Sequence, residues 1–173
     1  YQRVVGAREQ VDNVLAVHAL RPQTLQAHMG LYKAVMHHPE LQLPLWLREA
    51  IGVYVSRLNR CDYCVAHHRC GLSASLADAQ RFAALDHALT TPRPASPFSK
   101  AEQLALDYAR KLAVEPSALR NEDVVKLREA GYSDGEILEI NQIVAYFCYV
   151  NRVVIGLGVE LESVHNVTVN SAH

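Results

Sequence analysis

The 173-residue sequence has no long run of one charge: Lys and Arg total 17 against 18 for Asp and Glu, a formal net charge of −1. No electrostatic footprint for nucleic acid or an anionic membrane surface is therefore expected. No stretch approaches the ~18 consecutive apolar residues of a membrane span, and the opening YQRVVGAREQ has no apolar core of a signal peptide, so a cytoplasmic protein is expected. Low-complexity tracts and an internal repeat of convincing period are absent too, which gives no support to a repeat architecture. Cysteines number four. In reducing cytosol these are unlike a disulfide scaffold, and a close Cys-x-x-Cys pair there points to redox or metal chemistry.

Strict alternation of polar and apolar residues is also scarce, whereas apolar residues recur at spacings of three and four, so the fold class is all-α. With 50% hydrophobic residues, one domain over 1–173 can bury roughly 70% of its unfolded surface. The periodicity predicts helices near 8–19, 22–37, 44–57, 61–70, 75–88, 99–114, 121–130 and 134–157. Ser99 with Glu102, and Ser133 with Glu136, have capping-box spacing, and Asn121 is a simpler N-cap candidate. The segment TTPRPASP, ending at Pro97, is expected to be an extended connection that splits the helices into two groups. From Ile137 to Leu157 the last helix is apolar around much of its circumference, so it is buried centrally or against a second subunit. Gly156 and Gly158 are placed to end it.

The stretch REAIGVYVSRLNRCDYCVAHHRC carries the chemistry. Leu58, Asn59 and Arg60 suit a turn, which places Cys61 in the first turn of a new helix, where unpaired N–H groups and the macrodipole favour an anion. Along that helix Cys61, Cys64 and His68 stand at i, i+3 and i+7 and share one stripe. A free thiol of pKa near 8.5 is about 3% ionised at pH 7, whereas a helix N-terminus and an imidazolium that lower it to ~6 leave roughly 90% thiolate. Glu49 would lie about 18 Å away along a continuous helix. With the turn at Leu58 to Arg60 the two helices fold together, and Glu49 is expected beside His68 as carboxylate, imidazole and thiol in sequence. His67 is expected at the flank, and Cys70 and Cys148 as structural residues. A zinc site on Cys61, Cys64 and His67 or His68 is the chemical competitor, but no second Cys-x-x-Cys or His-x-x-x-His supplies a fourth ligand.

Glu49, eleven residues, Cys61-x-x-Cys64, three residues and His68 resemble the active-site motif of the AhpD-like alkylhydroperoxidases of the carboxymuconolactone decarboxylase superfamily. The flanking MHHPELQLPLWLREAIGVYVSRLNRCDYCVAHH and NRVVIGLGVELE further resemble its peroxidase-related branch, over about residues 10–162. The resemblance implies an AhpD-like helical domain, assembly into dimers, trimers or hexamers, a hydroperoxide substrate, an external dithiol reductant, and no cofactor or metal. It also implies Cys64 as the attacking thiol, Cys61 as the partner that closes a disulfide, and His68 and Glu49 as a proton relay. AhpD has a histidine immediately before the second cysteine; here that residue is Tyr63, whose phenol is a poor base at pH 7 but can donate a hydrogen bond. The alternative from a different class is a non-catalytic helical oligomer whose dithiol senses redox state or binds metal.

Overall fold

The computed structural model describes residues 11–162, and these contain helices and no strand. The helices are α1 (Asn13–His18), α2 (Pro22–Met36), α3 (Leu45–Leu58), α4 (Asp62–Leu76), α5 (Ala79–Ala88), α6 (Lys100–Val114), α7 (Asn121–Glu129) and α8 (Asp134–Gly156), with a 3-10 turn at Pro116–Ala118. Both predicted capping boxes are formed: Ser99 and Ser133 accept from the backbone N–H of Glu102 and Glu136, whose carboxylates reach back. At α7 the N-cap is Arg120, not Asn121, because Asp123 accepts the Arg120 N–H at 2.8 Å and so draws the helix start one residue earlier. The helix predicted at 61–70 runs on to Leu76, and the next begins only at Ala79, where Asp78 caps it. Of the helix predicted at 8–19, residues 8–10 lie outside the described residues, and the rest is helical only from Asn13.

The centre of the fold is α3. Every residue from Leu47 to Ser56 is buried, and the helix packs on α4, α6 and α8. Close approach to α8 depends on Gly52, where an added Cβ would overlap the Phe147 ring. The proline-rich connection bends through turns instead of running extended. It does not separate two groups of helices, since α6 beyond it packs on α3 before it. The long α8 buries Ile140, Ile143, Val144 and Phe147 in the core while Leu138, Tyr149 and Ile155 face outwards. After Gly156, Gly158 takes the left-handed conformation, φ 61°, and closes the helix end.

The turn between α3 and α4 determines where the thiols stand. Arg60 adopts φ 59°, a left-handed conformation that costs a non-glycine residue roughly 1–2 kcal/mol. In return, the Arg60 N–H reaches the Arg57 carbonyl at 3.0 Å and the Cys61 N–H reaches that of Ser56 at 2.9 Å, the paired bonds of a Schellman motif. Cys61 is thereby tied to the end of α3 and is at once the N-cap of α4.

Candidate active site

This turn sets Glu49 against His68 and Cys61 against Cys64, and Glu49, Cys64 and His68 line one cavity. Glu49, on the inner helix α3, is only 4% exposed, and its Oε2 lies 2.7 Å from Nδ1 of His68 on α4. A buried carboxylate with no partner is strongly disfavoured, so the imidazole stabilises Glu49 in the core. Because an ionised carboxylate only accepts hydrogen bonds, the shared proton belongs to Nδ1 of His68, and Nε2 is left to exchange a proton. The Phe147 ring meets the imidazole edge-on, 4.6 Å between centroids, and holds its plane.

Cys61 and Cys64 are free, buried thiols whose Sγ atoms are 2.9 Å apart. Hydrogen bonding with Cys64 outweighs burial and pulls the Cys61 thiol down from the usual thiol range to about 7. The same bond, together with burial, pushes Cys64 well up. The contact between the sulfurs thus favours an anion on Cys61, because the neighbouring thiol can donate to it. Asn151, an amide fully buried on α8, favours the anion at both sulfurs and is itself held by Ser56 Oγ at 3.1 Å and Asn59 Nδ2 at 3.0 Å. Its sequence signal was a lone amide in the apolar run CYVNRVVIG.

Access differs between the two sulfurs. Cys64, and not Cys61, lines a cavity of about 430 Å³ together with Glu49, His67 and His68, and Met29, Tyr32 and Tyr146 supply much of the remaining wall. Two smaller cavities, about 270 and 340 Å³, lie along α6 and α7 and contain no thiol. Tyr63 also lines the large cavity, but its hydroxyl donates to Glu162 Oε1 at 2.7 Å and accepts the Val14 N–H at 3.2 Å. Burial and the Glu162 hydrogen bond raise its pKa, so the phenol stays protonated.

His67 is no mere flank: its Nε2 lies 2.8 Å from Glu162 Oε2. Glu162, 95 residues further along the chain, is the last residue of NRVVIGLGVELE, the stretch that resembles the peroxidase-related branch. Cys70 is exposed rather than a buried structural thiol, and Cys148 is half-buried near Asn59. Among the described residues no three His, Cys, Asp or Glu side chains converge to hold a metal.

The family model for the carboxymuconolactone decarboxylase family matches residues 22–109, the segment from α2 into α6 that holds both thiols, Glu49 and His68. The chain belongs to this family. No curated protein matches the sequence. Among solved structures, a peroxidase-related protein from Silicibacter sp. TM1040 is 27% identical with a TM-score of 0.80, covering 89% of this chain and 78% of its own. A peroxidase-related protein from Ralstonia eutropha JMP134, described as an alkylhydroperoxidase AhpD core, is 25% identical with a TM-score of 0.82 and covers 94% and 84%. The debrominase Bmp8, solved in complex with 2,3,4-tribromopyrrole, is 22% identical with a TM-score of 0.74 over 94% and 81%, and shares the fold. The AhpD-like helical fold therefore frames more than one chemistry in the carboxymuconolactone decarboxylase family and its structural neighbours.

Proposed function

We propose that this member of the carboxymuconolactone decarboxylase family is a thiol-dependent peroxidase that reduces hydroperoxides through a Cys61/Cys64 dithiol–disulfide cycle. The observation that carries this reading is a contacting thiol pair of which Cys64 lines the same cavity as the Glu49–His68 pair. Transfer of the bridging proton along the 2.9 Å contact moves the negative charge from Cys61 to Cys64, the sulfur that a substrate can reach. The Cys64 thiolate attacks the terminal oxygen of ROOH, the O–O bond breaks, and sulfenic acid and an alcohol result once a proton is supplied. The Cys61 thiol then condenses with the sulfenic acid, releasing water and forming the disulfide. An external dithiol resets the pair, so the cycle suits a reducing compartment such as the cytoplasm. The similarity to two peroxidase-related proteins supports this reading.

Whole-protein mass before and after one equivalent of hydroperoxide tests the reading. Loss of two hydrogens with peptide mapping to a Cys61–Cys64 link is expected. An unchanged mass with the peroxide intact would reject the cycle.

A further inference from the structure

Glu162 is bound by three donors, one at the start of α1 and two a helical turn apart on α4. Its Oε1 accepts the Tyr63 hydroxyl at 2.7 Å and the Asn13 N–H at 2.7 Å, and its Oε2 faces His67 Nε2 at 2.8 Å. Although burial pushes its pKa up, these hydrogen bonds pull it down to about 2, so the carboxylate is ionised and can only accept. The proton shared with His67 therefore sits on Nε2, and Nδ1 is the nitrogen that can gain or give one. The Tyr63 ring stacks on the imidazole with 4.4 Å between centroids and a 31° tilt, which limits its rotation. His67 follows Cys64 by three residues and His68 follows by four, so both stand one helical turn beyond the thiol and both line the cavity. Each imidazole has its own carboxylate behind it. They differ in depth: the His68 side chain is 14% exposed and that of His67 31% exposed.

That difference matters for breaking an O–O bond. The sulfur, the attacked oxygen and the leaving oxygen stand roughly in line, so the leaving oxygen is further from Cys64 and closer to the cavity mouth. An alkoxide is a poor leaving group unless it is protonated as the bond breaks. We infer that His67, oriented by Glu162 and Tyr63, is a second catalytic imidazole, the general acid that protonates the leaving alkoxide during attack by Cys64. This rests on the thiol-peroxidase reading. In the step, an S–O bond forms, the O–O bond breaks and sulfur is oxidised by two electrons; the alkoxide takes the proton from His67 Nδ1 and leaves as an alcohol, and His67 is reprotonated from solvent. Glu162 is a positioning residue. The pair supplies an imidazole one turn after the position where AhpD carries a histidine and this chain carries Tyr63.

The test compares single-turnover thiol oxidation by two oxidants, tert-butyl hydroperoxide and peracetic acid. The first expels an alkoxide that needs a proton, and the second expels acetate, which does not. His67→Gln keeps a donor to Glu162 but has no acid. We expect its rate with tert-butyl hydroperoxide to fall about a hundredfold, within the range for general acids, and its rate with peracetic acid to stay within about threefold of the parent. Glu162→Gln should show the same selectivity at about a tenth of the size. It serves as the test if circular dichroism shows that His67→Gln is unfolded. Equal fractional losses with both oxidants, or no loss with either, would overturn the inference while leaving the peroxidase reading standing. If the parent protein reacts with neither oxidant, that reading fails and the inference falls with it.

Discussion

Gly71 on α4 stands directly against the carboxyl group of Glu49: a Cβ at position 71 would lie 2.7 Å from its Cδ and under 3 Å from both oxygens. The Glu49–His68 pair exists because that position has no side chain. Gly71→Ala should push the carboxylate off its 2.7 Å contact with His68, lower the melting temperature and slow peroxide reduction about tenfold or more. Gly30→Ala on α2, where nothing lies within 4 Å, is the control. It should leave activity unchanged and stabilise the protein by about 0.5–1 kcal/mol, read from thermal or urea unfolding.

The thiol pair predicts a particular pH profile. Alkylation by iodoacetamide in a Cys70→Ser, Cys148→Ser background should rise with pH through about 7, because the thiolate is the nucleophile and hydrogen bonding with Cys64 lowers the Cys61 pKa to that value. In Cys64→Ala the donor is gone, so the curve should move upwards towards the usual thiol range. Superimposable curves would separate the two sulfurs electrostatically.

Glu162 links the end of the described chain to α1 and α4, and its contribution depends on acid. Its pKa in the folded protein is depressed from 4.5 to about 2, so its stabilisation is complete above pH 4.5 and is lost as pH falls towards 2. The stability gap between the parent and Glu162→Gln, measured by urea unfolding, should narrow across that interval. A gap independent of pH would show that the ionised carboxylate is not what matters.

The outer face of α8 predicts assembly. Leu138, Tyr149 and Ile155 are 54%, 42% and 51% exposed on a helix whose other face forms the core. Light scattering at micromolar concentration should report a homo-oligomer, and Leu138→Lys with Ile155→Lys should weaken it. A strictly monomeric mass for the parent would contradict the proposed assembly.

Much of the site was legible because its members are local. Cys61, Cys64 and His68 share a stripe by helical spacing alone, and a turn at Leu58 to Arg60 suffices to fold Glu49 back on them. The two serine capping boxes were legible for the same reason, since each is complete within four residues. Misses arose where local signals competed or were silent. Asp123 outweighed Asn121 at the start of α7, and α4 ran on to Leu76 because nothing between Cys70 and Leu76 interrupts it.

The sequence by itself determined the helical class, the dithiol and its facing imidazole, since periodicity and i, i+3, i+4 spacing depend only on neighbouring residues. Tertiary structure alone decided which sulfur lines the cavity, how the two thiols bear on each other's ionisation, and which carboxylate His67 meets. Those properties depend on atoms far apart in the chain: Asn151 from α8 beside the thiols, Glu162 beside Tyr63 and His67, and the Gly71 gap that admits Glu49. Hydrogen bonding and desolvation act over a few ångströms of space irrespective of sequence separation, so a pattern along the chain holds no record of them until packing brings the groups together.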